Sequence, residues 1–212
     1  MQQMKPAAAT PAERILAAAD RLFYRDGIRA VGVDSVAAEA GVSKRTLYNH
    51  YATKDDLIAA YLVARFRQIV PSDAPAREQI LGYFDYLESA FARPGYRGCP
   101  YVNAVCELSD PKHRAAAIAM QFKEQRREWL RVLLQRLGAK DADALATQLQ
   151  LLVEGAVAST LVRGDPALAR AARNAAQVLI DAAVKPRRQA RRSRERRRHA
   201  PSSSRARQKT TT

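Results

Sequence analysis

Residues 41–57 read GVSKRTLYNHYATKDDL. Lys44, Arg45, Tyr48, Asn49, His50, Tyr51 and Lys54 crowd around only two apolar positions, Val42 and Leu47. A surface helix needs an apolar stripe on one face and can be indifferent on the other. A merely solvated helix would favour Glu and Lys over Tyr, Asn and His. The preceding residues explain the choice. Asp34 to Ala40 makes a short helix with Val33, Val36, Ala37 and Ala40 facing inward. Ala37 is small where two helices would cross closely. Gly41 suits a left-handed turn, Val42 plugs the crossing, and Ser43 can cap the next helix. That is a helix-turn-helix, whose second helix enters the major groove of DNA by its N-terminal residues, where free N–H groups also favour phosphate. A plain helical hairpin in a bundle has the same spacing and is the competing reading.

Working outward, Thr10-Pro11-Ala12-Glu13 is a helix start with Thr10 as N-cap, Pro11 at N1 and Glu13 closing a capping box. Ile15, Leu16, Ala19, Leu22 and Phe23 follow at helical spacing until Asp26-Gly27. After the quoted stretch, Asp55-Asp56 opens a helix with negative charge in its first turn. It carries Leu57, Ile58, Tyr61, Leu62, Phe66 and Ile69 and is expected to stop near Pro71. Further helices are predicted over 75–92, 100–108, 111–137, 141–162 and 166–184. No alternating strand pattern, repeat or hairpin signal appears. The expected fold is all-α with about nine helices, an N-terminal three-helix unit followed by a larger helical domain.

Composition narrows the class. The chain has 212 residues, 47% of them hydrophobic, enough for a full core. The first apolar run, Ile15 to Phe23, is interrupted by Asp20 and Arg21, unlike a signal peptide. No uninterrupted apolar run approaches the ~20 residues a membrane helix needs. Cys99 and Cys106 make no disulfide framework, and the seven-residue helical step from one to the other rises roughly 10 Å, beyond the ~7 Å bridging limit. A cytoplasmic protein with no membrane partner is expected. The net charge of +15 is uneven: from Lys185 onward twelve Lys and Arg stand against the single Glu195, a net +11 that leaves +4 elsewhere. Such a tail is disordered by composition. It could attract DNA by counterion release or serve only as a solubilising extension.

From Glu13 to Leu57 the sequence resembles the DNA-binding domain of the TetR family of bacterial regulators, carried by ILAAADRLFYRDGIRAVGVDSVAAEAGVSKRTLYNHYATKDDL (15–57). TLYNHY followed by Lys54 and Leu57 carries most of that resemblance. One departure is Gly32, where many members cap the second helix with Thr or Ser; backbone N–H groups or Ser35 would then replace a phosphate-binding hydroxyl. The resemblance implies an organisation of residues 1–9 as a flexible leader, 10–54 as the DNA-binding domain, 55–184 as a ligand-binding and dimerisation domain, and 185–212 as the basic tail. Lys44, Arg45 and Asn49 are the candidate base readers, since Arg pairs bidentately with guanine. Thr46, Tyr48, His50 and Lys54 are candidate phosphate contacts that fix register. Tyr51 is assigned to packing.

In the larger domain the resemblance implies a small-molecule cavity. Its candidate lining is Phe66, Phe84, Leu87, Tyr101, Val105, Met120, Trp129 and Glu154, with Tyr83, Phe122 and Leu152 as further bulky positions. Aromatic stripes of this kind also build ordinary core. Glu154, on an otherwise apolar helix, is either a ligand anchor or half of a buried ion pair. YRGCPYVNAVCEL (96–108) resembles a segment of one branch of the family. Cys99 is expected at a helix N-cap beside Arg97, where a thiol gains thiolate character and could act as a redox or electrophile sensor; a small residue in a tight turn is the simpler alternative. Leu145, Leu149, Leu152, Val153, Ala156, Val157 and Thr160, with Leu168, Ala171, Ala172, Ala175, Val178, Leu179 and Ala182, are the expected homodimer faces. The function implied is a repressor of a palindromic double-stranded DNA operator, released by a small-molecule effector. An architectural DNA protein using the tail is the alternative. No enzyme is expected: the histidines are His50, His113 and His199, and no nucleophile elbow, phosphate loop or spaced metal-ligand set appears, so neither cofactor nor metal is implied.

Overall fold

The computed structural model describes residues 9–66 and 72–184. Among them are nine helices and no strand: α1 (Pro11–Asp26), α2 (Val33–Ala40), α3 (Lys44–His50), α4 (Lys54–Ala64), α5 (Ala76–Phe91), α6 (Pro100–Leu108), α7 (Arg114–Arg136), α8 (Ala142–Arg163) and α9 (Leu168–Ala183). Ile69, the leader up to residue 8 and the basic tail lie outside the described residues.

Caps written in the sequence set the helix starts. Thr10 accepts from Glu13 N while the Glu13 carboxylate accepts from Thr10 N, the predicted box, and these bonds hold the Glu13 carboxyl below its usual range. Thr53 and Asp56 make a second box at α4. Two boundaries differ from expectation. Helix α4 stops at Ala64 instead of running toward Pro71, because the chain turns where Arg65 pairs with Asp20 of α1 and Phe66 packs edge-on against Phe122. Helix α7 starts at Arg114, not Pro111: Asp110 accepts from Lys112 N, and His113 Nδ1 accepts from Ala115 N as the cap.

Burial divides into two cores. The first gathers α1 to α4 around Ile15, Phe23, Leu47, Leu57 and Tyr61, and continues into Tyr101 and Ala104 of α6 and Ala115 and Ala119 of α7. The second unites α5, α7, α8 and α9 around Ile80, Phe84, Leu130, Leu149 and Ile180. Helix α8 is long and apolar enough on average, with a mean hydropathy of 1.3, to cross a membrane by length and composition alone. Here it packs between α7 and α9, burying Leu145, Leu149, Val153, Ala156 and Thr160.

Candidate DNA-reading surface and ligand cavity

The turn between α2 and α3 is closed as its residues require. Gly41 adopts φ 62°, ψ 42°, and Val42 N donates to Ala37 O at 3.0 Å across it. Ser43 Oγ accepts from Thr46 N at 3.0 Å and caps α3. Leu47 is fully buried, and Val42 and Tyr51 pack half-buried against the same core. Lys44, Arg45, Tyr48, Asn49 and His50 are all left exposed on one short helix.

Three candidate contacts already have partners within the chain. Lys44 Nζ stands 2.9 Å from Asp34 Oδ1, and that carboxylate raises the lysine's pKa. Thr46 Oγ1 shares a hydrogen bond with Ser43 Oγ at 2.8 Å. Lys54 is not turned outward: its half-buried Nζ donates to Ile28 O at 2.7 Å, and burial lowers its pKa. It braces α4 against the loop before α2. Gly32 precedes α2 without any side-chain cap, leaving the N–H groups there to backbone geometry alone.

A cavity of about 840 Å³ opens between α1 and the second core. Of the candidate lining residues, Leu87, Tyr101 and Glu154 stand on its wall, together with Tyr83 and Phe122. The other predicted lining residues do not. Phe84 is buried in the core behind α5. Phe66 and Trp129 back the wall, edge-on to Phe122 at 5.4 Å and to Tyr83 at 5.6 Å. Val105 and Met120 face outward, 39% and 70% exposed, because α6 turns Tyr101 and Ala104 inward and α7 turns Ala119 inward. Sequence reading missed the α1 wall, where Leu16, Asp20 and Tyr24 face the cavity, and the Arg65 and Arg126 guanidinium groups. Polar residues at spacings of three and four along α1 were visible, but a solvated helix face has the same pattern.

Glu154 is half of an ion pair. Lys123 Nζ lies 2.6 Å from both its carboxylate oxygens, and Gln150 Nε2 donates at 2.5 Å. Tyr101 stacks on Phe122 at 4.0 Å, and Arg126 sits over Phe122 at 5.2 Å and Tyr83 at 5.9 Å. Burial pushes the Tyr83 hydroxyl up to about 12 and raises those of Tyr96 and Tyr101, so all three stay protonated.

Helix α6 joins the cavity to the helix-turn-helix. Cys99, Pro100 and Tyr101 at its start line the cavity. Just before them, Arg97 Nη1 donates to Tyr24 O at 3.0 Å and Arg25 O at 2.5 Å, Arg97 N donates to Tyr24 Oη at 2.9 Å, and Tyr24 Oη donates to Gly98 O at 3.1 Å. Gly98 has φ 80°, a backbone that L side chains rarely adopt, and a Cβ there would also push Leu161 Cδ1 aside, so glycine is strongly favoured. At the far end of α6, Glu107 Oε2 accepts from Arg29 N at 3.1 Å. Arg97, expected near the Cys99 thiol, commits its guanidinium to this clasp on the end of α1. Cys99 caps α6 without a side-chain hydrogen bond, is half-buried, and is a free thiol like Cys106.

The model of bacterial regulatory proteins of the tetR family matches residues 15–61, the span from α1 into α4. A transcriptional repressor of Mycobacterium tuberculosis, KstR2, is 30% identical over 128 residues, 57% of this chain; the match spans 64% of that repressor's length. Two crystal structures are similar over most of both chains. A tetR-transcriptional regulator of Streptomyces avermitilis (sav143) is 36% identical with a TM-score of 0.73, covering 82% of this chain and 98% of its own. SCO4454, a TetR-family transcriptional regulator of Streptomyces coelicolor, is 30% identical with a TM-score of 0.72, covering 82% and 97%. With a capped helix-turn-helix at one end and a helical bundle enclosing a cavity at the other, the chain belongs to the TetR family of bacterial regulatory proteins.

Proposed function

We propose that the protein is a homodimeric repressor, working in the cytoplasm on a palindromic operator and released from it by a small molecule that enters the cavity. One observation carries this reading: α6 lines the cavity with Tyr101 and is tied to the DNA-reading unit at both ends, through Arg97 to α1 and through Glu107 to Arg29. A ligand that fits better when this connection is displaced shifts the population toward a form whose α3 helices no longer match two half-sites. Those half-sites lie roughly 34–36 Å apart. The likeness to KstR2, a transcriptional repressor, supports the sign of the regulation.

The dimer face in this proposal differs from that read by periodicity. Leu145, Leu149, Val153, Ala156 and Thr160 are spent on the chain's own core. The exposed stripe of α8 is Gln148, Leu151, Gly155, Ala158 and Val162, beside exposed Ala171, Val178 and Ala182 of α9. These small and apolar side chains permit close packing of two copies.

In the DNA complex Arg45 and Asn49 read base edges, and Lys44 joins them by leaving Asp34. Tyr48, His50 and the hydroxyl of Thr46 hold phosphates. Lys54 acts by bracing the loop at Ile28. Selection of binding sites from a random DNA pool, for the wild type and Arg45→Ala, tests the assignment. The wild type should yield a palindrome, and Arg45→Ala should lose ~1–3 kcal/mol of discrimination at one base pair per half-site. An unchanged preferred sequence overturns the role of Arg45, and no enriched sequence overturns the reading as a specific regulator.

A further inference from the structure

Side chains from other elements hold the end of α1 and the loop that leads into α2. Lys54 Nζ donates to Ile28 O, Glu107 Oε2 accepts from Arg29 N, and Arg97 Nη1 donates to Tyr24 O and Arg25 O. Neither Lys54 nor Glu107 lines the cavity. The Arg97 tie does reach it, through Tyr24.

Arg97 and Tyr24 grip each other's backbone. The guanidinium takes two carbonyls of the last turn of α1, which no N–H of the helix can satisfy. In return Tyr24 Oη accepts from Arg97 N at 2.9 Å and donates to Gly98 O at 3.1 Å, in the turn that leads into α6. Tyr24 and Gly98 both stand on the cavity wall, and Arg65 lies over the Tyr24 ring, 4.4 Å from its centroid. Asp20 holds Arg65 by a bond of 2.9 Å from Nη2, and this pair lines the cavity as well. A molecule filling the cavity therefore meets Tyr24 and Arg65, and leaves Lys54 and Glu107 untouched. Moving the ring ~1 Å away from the turn takes Oη out of hydrogen-bond range of both its partners.

We infer that Tyr24 is the positioning residue through which the cavity acts on the DNA-reading unit. A ligand displaces the ring, the hydroxyl releases the turn before α6, and the end of α1, which packs on α2 and α3, loses an anchor. This rests on the effector reading above and names the residue that transmits it.

Coupling is reciprocal, so DNA must alter the cavity end if the cavity alters DNA binding. The test thus needs no effector: hydrogen exchange of the full chain, with and without its selected operator. In the wild type the operator should slow the α6 amides from Asn103 to Leu108 at least ~5-fold, the low end of allosteric coupling. Tyr24→Phe keeps the ring under Arg65 and removes only the hydroxyl. It should bring that ratio close to unity, while Leu47 of α3 is slowed by the operator as in the wild type. Arg97→Gln should give the same loss from the other half of the clasp, and the double variant no more than either alone. A hydroxyl with a merely structural role would speed α6 exchange equally with and without DNA, so an unchanged ratio in Tyr24→Phe overturns the assignment. The effector reading would then stand, with Tyr101 Oη on Leu62 O as the connection. No slowing of α6 in the wild type, with α3 protected, overturns both. Loss of cooperative thermal unfolding in both single variants makes the clasp a matter of stability and overturns its coupling role.

Discussion

Lys123→Met removes the cation that holds Glu154, and the structure bounds the cost. The pair's side chains keep 25% and 29% of their exposure, so they are neither freely solvated nor dry. Breaking a fully buried pair from one side costs ~3–5 kcal/mol, whereas an exposed pair contributes ~0–1 kcal/mol. Quarter exposure, with Gln150 Nε2 still 2.5 Å from the carboxylate, puts Lys123→Met at ~1–3 kcal/mol. Glu154→Leu should cost less, because the lysine stem can carry its ammonium toward water. The double variant strands no charge and adds apolar surface beside Phe122, so it should lie within ~1 kcal/mol of the wild type. Urea unfolding at fixed protein concentration reads all four chains; with concentration fixed, any contribution of the proposed dimer to stability stays constant. In a chain of this size each kcal/mol also moves Tm by ~2–4 °C. Costs that add within ~0.5 kcal/mol would refute the reasoning: Glu154 and Lys123 would then be independent groups, and the acid would be free to anchor a cation after all.

Two further outcomes follow from local geometry. Gly41→Val places a β-branched residue at φ 62° in the helix-turn-helix. It should destabilise the protein by ~1–2 kcal/mol, while Gly41→Asn costs less; equal Tm values for both variants would remove the turn from the argument. The Asp56 carboxyl is held below its ordinary 3.8 by the Thr53 hydrogen bond first, against burial, and by Arg114. A depressed folded-state pKa stabilises above the unfolded value and is lost as pH falls through the folded one. Asp56→Asn should therefore be less stable than the wild type at neutral pH, with the gap closing below about pH 4 in urea titrations. A gap independent of pH would show that the carboxylate's charge is irrelevant there.

The DNA-reading end was legible because its signals are local. Thr10 with Glu13, Gly41 and Ser43 each fix backbone within a turn of themselves, and the structure repeats those assignments. Orientation within the bundle was not legible. Helix α8 is apolar nearly all round, so periodicity cannot say which stripe faces its own core; the Leu145–Thr160 stripe lies inside the chain, and Leu151 and Val162 lie outside. The cavity lining was only partly legible for a related reason. Aromatic residues were visible, but only the packing of α6 and α7 decides that Tyr101 and Phe122 form a wall while Phe66 and Trp129 stand behind it. Arg97 misled because the nearest charge in sequence need not be the nearest acceptor in space: carbonyls more than seventy residues away claim it.

The first core does not end where the helix-turn-helix ends. Tyr101, Ala104, Ala115 and Ala119 are buried among the α1 to α4 residues, and Tyr101 Oη donates to Leu62 O. The reading head is therefore not an interchangeable module. Grafting the head of a relative onto this bundle at the start of α4 would join two half-cores that were never fitted to each other. A chimera that folds and responds must carry across α4 and the matching inward faces of α6 and α7. The same packing ties distant parts of the chain together: a volume change in the floor beneath α3 must be matched on the inward faces of α6 and α7, some fifty residues or more further along.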